Sequence, residues 1–168
     1  MWGIVFVLYG AFLFAIQTSL LDWIAVNGVT PDLVLICVVF GALHLPEDRG
    51  LWLGFGLGLV QDCLSGGLLG VNTLSKSLIA FFLVQIKGNI RVEGFLPVCL
   101  FLLAASFFDG MVYFITVQML FKTSIAAGYF LGQIAVYSVY NSLMGPPMFI
   151  LLERNRRWLT QKMQSRTG

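Results

Sequence analysis

The chain has 168 residues, of which 58% are hydrophobic and only 11% are charged, and its net charge is +2. Soluble domains carry roughly 25% charged residues, so this composition excludes an ordinary soluble domain and predicts an all-α integral membrane protein. Because a membrane-spanning helix needs about 20 apolar residues, the length accommodates about six spans and no separate soluble domain.

The inventory of reactive side chains argues against an enzyme. The three cysteines, Cys37, Cys63 and Cys99, lie in apolar stretches without C-x-x-C spacing, so we expect small core residues and no metal or disulfide site. His44 is the only histidine, and we expect it at a helix end near the membrane interface. The serines therefore lack a histidine base. We predict no catalytic set, no cofactor and no nucleic-acid partner.

Apolar stretches separated by polar turns predict six spans in chain order. These spans are residues 2–21, 31–45, 50–65, 74–86, 95–121 and 125–152. The first lacks a basic region before its apolar run, so we expect it to be retained and not cleaved as a signal peptide. The second is short, so it should either recruit residues before Pro31 or thin the bilayer locally. The Pro146-Pro147 pair should kink the sixth.

Basic residues alternate between the predicted loops. One side holds Arg49, Lys87, Arg91 and the basic residues after residue 152, whereas the other holds Lys122 and, near its edge, Lys76. Because loops rich in Lys and Arg stay in the cytoplasm, both termini are predicted to be cytoplasmic, which requires an even number of spans.

A run of glycines leads to a carboxylate in the third predicted span. Gly50, Gly54, Gly58 and Asp62 recur every four residues and so share one helix face. Small residues at this spacing let two helices approach closely, so we interpret the three glycines as a helix-packing ridge.

Polar side chains in several predicted spans fall at a similar depth, past the membrane midplane on the outer side. At a rise of about 1.5 Å per residue, Asp62 lies roughly 18 Å from Gly50, and Asp109 roughly 24 Å from Glu93. The predicted layer consists of Gln17, Asp62, Lys76, Asp109, Tyr137 and Asn141.

An aspartate in a span is costly and needs a partner. We expect the Asp62 carboxylate to point into the bundle and to meet Lys76 or Asn141 within hydrogen-bonding distance. Two interpretations of the layer stay open: a polar pocket that opens outward, or interhelical hydrogen bonds that hold the bundle in register.

The chain is predicted to divide into a membrane bundle at residues 1–152 and a basic cytoplasmic tail at residues 153–168. Such a tail can lie on anionic lipids, as an orientation signal, or can dock a cytoplasmic partner. Its basic residues include Arg154, Arg156, Arg157 and Lys162.

Three motifs carry a family resemblance over the whole length. They are Pro31-Asp32-Leu33, Gly54-Phe55-x-x-Gly58-Leu59-x-x-Asp62, and Ser65-Gly66-x-Leu68-x-Gly70 followed by Lys76. With these motifs the chain resembles the bacterial rod-shape-determining protein family MreD.

The resemblance implies a multi-pass inner-membrane component of the cell-elongation machinery without enzymatic activity. Members of that family associate with MreC, and through it with the MreB filament and with the glycosyltransferase and transpeptidase of peptidoglycan synthesis. The family is also similar in fold to the substrate-binding subunits of energy-coupling-factor transporters. Two hypotheses follow: a scaffold that binds the span of MreC, or a small-molecule-binding subunit of a transporter.

Overall fold

The computed structural model describes residues 29–88, 94–121 and 127–164, together with Phe12, Ala15 and Gln17. Most of the first predicted span, and loop residues such as Arg91 and Lys122, lie outside these ranges. The described ranges fold as five helices: α1 Leu33–His44, α2 Glu47–Ser65, α3 Val71–Ile86, α4 Phe95–Phe121 and α5 Ala127–Gln164. This confirms the predicted all-α class.

The helix bounds follow the predicted spans most closely where the apolar run is long. Helix α4 begins and ends at the predicted residues. Helix α2 begins three residues earlier than expected, with Glu47 and Asp48 in its first turn, where negative side chains favour the positive end of the helix dipole. Helix α5 continues through Pro146 and Pro147 to Gln164, so the predicted domain boundary after residue 152 falls inside a continuous helix.

Among the described residues, two segments are long and apolar enough to cross a membrane: Phe95–Leu120 in α4 and Gly128–Arg154 in α5. Helix α1 is different. It has 12 residues, which corresponds to about 18 Å, against about 30 Å for the hydrocarbon core of a bilayer. Residues 29–32 are not helical, so α1 gains no length from the residues before it.

Helix α1 lies at the centre of the fold. All nine residues from Val34 to Ala42 are buried, and all are apolar apart from Gly41. A helix that is hydrophobic on every side needs an apolar environment all around it, and here the neighbouring helices supply it. The apolar core accordingly joins α1 to residues of α2, α3, α4 and α5.

Helices α1 and α3 run parallel. Near their first residues, Lys76 Nζ lies 3.0 Å from Asp32 Oδ2, and at their last residues Lys87 Nζ donates to the Leu45 carbonyl oxygen over 2.7 Å. Helix α2 runs antiparallel to both, because Gly50 at its start faces the late residues Ala42 and Val84. The starts of α1 and α3 therefore lie at the same end of the bundle.

Gly50, Gly54 and Gly58 of α2 face α3, and Gly50 also faces α1. A Cβ atom on Gly54 would lie 2.5 Å from Ala80 Cβ, and one on Gly58 would lie 2.7 Å from the Asn72 carbonyl oxygen and 2.8 Å from Thr73 Cα. Backbone atoms at such distances cannot yield, so α2 approaches α3 only because these positions lack side chains. The glycine ridge predicted from the sequence is thus covered by α3 within the described bundle.

The cysteines divide between core and surface. Cys37 is buried in α1, but Cys63 is exposed and Cys99 is intermediate, so the expectation that all three are core residues is wrong. Cys63 follows Asp62 directly, and since Asp62 points inward, the next helical position turns outward. His44 ends α1 as expected, stacked on Phe40 with ring centroids 4.4 Å apart.

Alanine substitution should separate the two kinds of glycine in α2. We expect Gly58→Ala to lower the thermal unfolding midpoint, because overpacking against the α3 backbone costs about 1–3 kcal/mol. Gly56→Ala is the matched control, since nothing lies within 4 Å of its added Cβ. Alanine there should be neutral or stabilising by up to about 1 kcal/mol. Thermal midpoints of the purified chain in detergent measure both, and equal midpoints would contradict the packing.

Candidate functional site

Asp32 connects α1 to the rest of the bundle. It occupies the N-cap of α1, where its Oδ1 accepts a hydrogen bond from Leu35 N over 3.0 Å. Its Oδ2 faces the neighbouring helices and accepts from Gln61 Nε2 over 3.2 Å. Its backbone N–H donates to Asn141 Oδ1 over 2.7 Å. One residue at the start of α1 thus fixes contacts to α2 and α5 as well.

Lys76 is the charged centre of the site, and its side chain is completely buried. Its Nζ lies 3.0 Å from Asp32 Oδ2 and 3.5 Å from Asp109 Oδ1. The same nitrogen donates to Asn72 Oδ1 over 3.1 Å. An ammonium group carries three N–H donors, so these three acceptors can satisfy it.

Asp109 brings the long helices α4 and α5 into the same cluster. Ser75 Oγ, beside Lys76 on α3, donates to Asp109 Oδ1. Tyr137 OH, on α5, lies 3.0 Å from Asp109 Oδ2 and 3.4 Å from Asp32 Oδ2. We call Asp32, Lys76, Asp109 and Tyr137 the ionic cluster. It ties four helices together through one buried ammonium group.

The ionic cluster carries an excess of negative charge. Two carboxylates face a single ammonium, so the charges of Asp32, Lys76 and Asp109 sum to −1. Charges in a low-dielectric interior are tolerated only when they are paired and hydrogen-bonded, and removing one partner is strongly destabilising. The Tyr137 and Ser75 hydroxyls supply neutral donors to the carboxylates, which offsets part of the excess.

Asp62 caps helix α3. Its Oδ1 accepts from the backbone N and the side-chain Nδ2 of Asn72, each over 3.0 Å. Its Oδ2 accepts from the backbone N of Thr73 over 2.8 Å and from the Thr73 hydroxyl. The first N–H groups of a helix lack partners within the helix, and Gly70, the N-cap residue of α3, has no side chain to supply one. The Asp62 carboxylate, on the preceding helix, therefore supplies the acceptors for these first N–H groups of α3.

The predicted pairing of Asp62 with Lys76 or Asn141 is wrong. Lys76 turns to Asp32 and Asp109, and Asn141 accepts from the backbone of Asp32. The close approach permitted by Gly58 brings the first turn of α3 directly against Asp62, so backbone N–H groups reach the carboxylate. Asp62 is buried and points into the bundle, with its carboxylate linked to Lys76 through Asn72.

All six residues of the predicted polar layer lie in or beside the ionic cluster. Lys76, Asp109 and Tyr137 belong to it, and Asn141 and Asp62 adjoin it through hydrogen bonds. Gln17 lines a cavity next to it.

The predicted polar layer does not include Asp32, which appears in the sequence analysis only within the Pro31-Asp32-Leu33 motif. A Pro-Asp pair directly before an apolar helical run is a helix-start signal that could have identified it.

A cavity of about 350 Å³ adjoins the ionic cluster. Asp32, Gln61, Asp109 and Tyr137 belong to its polar wall, and the remaining walls come from α4, α5, the first residues of α3, the segment that precedes α1, and Gln17. The cavity lies where α1 and α3 begin, so neither helix fills the space beyond the ionic cluster. The described residues thus contain both features that the sequence left open, an interhelical network and an adjacent pocket.

Comparison with known families gives the chain its context. A family model described as rod shape-determining protein MreD matches residues 2–155. The chain belongs to the MreD family. That family is a membrane protein family that acts in rod-shape determination, and the two long apolar helices of the chain are compatible with a membrane location. No solved structure matches the chain.

The motifs that carry the MreD resemblance have a physical meaning in the structure. Asp32 of the first motif caps α1 and binds Lys76. Gly54, Gly58 and Asp62 of the second motif allow α3 to approach and cap its first turn. Gly66 and Gly70 of the third motif have left-handed backbones, with φ of 62° and 97°, which only glycine adopts without strain.

Replacing Lys76 should show how much its positive charge stabilises the two carboxylates of the ionic cluster. Lys76→Met leaves the buried Asp32 carboxylate and the partly buried Asp109 carboxylate without a counter-ion, which should cost about 3–5 kcal/mol and sharply lower the thermal midpoint in detergent. Adding Asp109→Asn removes one of those charges, so the double variant should be more stable than Lys76→Met alone. A double variant whose loss equals the sum of the two single losses would show that the charges do not interact.

Proposed function

We propose that this MreD-family chain is a non-catalytic scaffold of the bacterial cell-elongation machinery in the inner membrane. In this proposal it binds the membrane span of MreC and stabilises the peptidoglycan-synthesis complex. Through MreC it is linked to MreB and to the elongation glycosyltransferase and transpeptidase. The observation that carries the proposal is the family match over residues 2–155.

The distribution of polar and apolar side chains supports a scaffold. Most of the buried polar residues that the structure describes form side-chain hydrogen bonds or ion pairs, and Lys76 and Asn141 are completely buried. The outward faces carry large apolar side chains such as Trp52, which is 72% exposed, and Leu143, which is 64% exposed. Apolar surface of this kind suits lipid tails and the apolar span of a partner.

The glycine ridge of α2 is not the MreC-binding surface in this proposal. Gly54 and Gly58 already contact α3, so a partner helix cannot reach them without displacing it. MreC must then meet an outward face of the bundle. Close packing between α2 and α3 then contributes to MreC binding only indirectly, because it maintains the structure of the outward face.

We further propose a six-span bundle with both termini in the cytoplasm, similar in fold to the substrate-binding subunits of energy-coupling-factor transporters. The contact of Lys87 with Leu45 supports one basic end, because it brings the α3 terminus to the turn that contains Arg49. Since α1 is short and central, its polar start lies inside the membrane in this arrangement, as in other proteins with interrupted helices.

The end of α5 supports a role for the basic tail. The helix has 38 residues, or about 57 Å, which exceeds the hydrocarbon thickness of about 30 Å. The residues near its end therefore leave the bilayer as a helix, and they include Arg154, Arg156, Arg157 and Lys162. In the proposal these side chains contact anionic lipids or a cytoplasmic partner.

One observation favours the second candidate, a small-molecule-binding subunit of a transporter. The cavity of about 350 Å³ beside the ionic cluster lies within the size range of ligand sites. Native mass spectrometry of the purified chain distinguishes the candidates. A stoichiometric vitamin-sized ligand favours transport, whereas its absence favours the scaffold.

Photo-crosslinking should find the MreC-binding face. A photoreactive residue is placed at an exposed position of each of four helices: Trp52, Phe82, Leu100 and Leu143. We expect one or two neighbouring positions to crosslink to MreC in membranes, because a single span covers only part of the bundle. Leu102, fully buried on the same helix as Leu100, is the control and should give no crosslink.

The scaffold proposal fails if none of the four outward positions crosslinks to MreC while the labelled chains still support rod shape. It also fails if Leu102 crosslinks as strongly as the outward positions, because the reaction would then report misfolded protein.

A further inference from the structure

The cavity beside the ionic cluster has a wall of hydrogen-bond acceptors. Asp32 and Asp109, which line it, carry two negative charges against the single ammonium of Lys76. Within the described ranges, no other Lys or Arg forms an ion pair with these two carboxylates. A group that enters the cavity therefore meets a net charge of −1, which favours a monovalent cation.

Gln61 adds an acceptor without a partner. Its residue is 93% buried, since only 7% of its surface is exposed, and its Oε1 has no hydrogen-bond partner in the described structure. The amide orientation is fixed, because the carboxylate of Asp32 can only accept and so requires the Nε2 donor on its side. The oxygen that remains is a buried acceptor in a residue that lines the cavity, and a buried unpaired acceptor costs about 1–3 kcal/mol.

Another part of the cavity lining is apolar and aromatic. Tyr113 and Phe130 both line it, and their rings are stacked with centroids 6.4 Å apart. Ile134 and Val71 extend the apolar wall. The cavity is open to the surface of the bundle, and Tyr113 in its lining is 48% exposed. Aromatic faces attract cations, and apolar side chains accommodate a hydrocarbon group.

We propose that this cavity binds an organic cation that carries N–H donors and an apolar substituent, such as a primary ammonium or a guanidinium. The cation would donate to Gln61 Oε1 and Asp109, while its apolar part would contact Tyr113 and Phe130. The inference does not depend on MreC binding. The same chemistry is available from a free amine and from the ammonium headgroup of a phosphatidylethanolamine lipid.

The test compares three probes of similar size on the purified full chain in nanodiscs of phosphatidylcholine and phosphatidylglycerol. 2-Phenylethylammonium has the charge, the donors and the apolar group. 2-Phenylethanol lacks the charge, and trimethyl(2-phenylethyl)ammonium lacks the N–H donors. We expect the primary amine alone to raise the thermal midpoint, by about 3 °C or more at ten times its Kd.

Variants of the chain identify the site. Asp109→Asn removes the excess charge, and Gln61→Met removes the free acceptor at similar volume, so each should abolish the shift given by 2-phenylethylammonium. Asp48→Asn, which changes an exposed carboxylate in the first turn of α2, should leave the shift intact. Two independent variants keep the test decisive if one of them fails to fold.

Three outcomes would overturn the proposal: no probe shifts the midpoint, the neutral alcohol shifts it as much as the amine, or the shift survives both Asp109→Asn and Gln61→Met. A parallel series in nanodiscs that contain phosphatidylethanolamine distinguishes the source. Loss of the amine-induced shift in those discs supports a lipid headgroup as the occupant, and persistence of the shift supports a free amine.

Discussion

The rest of the structure depends on the buried ammonium of Lys76. Burying a charge in a protein interior costs so much free energy that a buried ammonium group is stable only where carboxylates pair with it. Asp32 and Asp109 do so from the start of α1 and the middle of α4, and Tyr137 reaches both from α5. Apolar packing between lipid-embedded helices has little directional preference, whereas these contacts fix which helix residues lie opposite one another.

The two short helices follow from the same requirement. Helices α1 and α3 both start at the ionic cluster, and both have an aspartate that accepts from their first N–H groups: Asp32 for α1 and Asp62 for α3. A helix that starts inside an apolar medium needs such an acceptor, because no water is present to supply one. Starting two helices there also leaves the cavity beyond them. The capping that makes the fold possible thus creates its polar pocket.

Much of this arrangement could be predicted from spacing along single helices. The four-residue repeat of Gly50, Gly54 and Gly58 indicated a packing face, and the apolar run of α4 gave both of its ends. The interaction partner of each polar side chain was harder to predict from the sequence. Asp62 was paired with Lys76 because they are close along the chain, but periodicity gives only the face on which a residue lies. The parallel alignment of α1 and α3, which brings Asp32 to Lys76, depends on contacts between distant segments.

If the chain supports rod shape as proposed, it requires the bundle that Lys76 holds together. The most direct measurement is the ratio of cell length to width in a rod-shaped host whose own MreD-family gene is replaced by this chain, unmodified or as Lys76→Met. We expect rods with the unmodified chain and rounded cells with the variant. Cells that remain rods with Lys76→Met, with the variant present in the membrane at the level of the unmodified chain, would contradict this expectation.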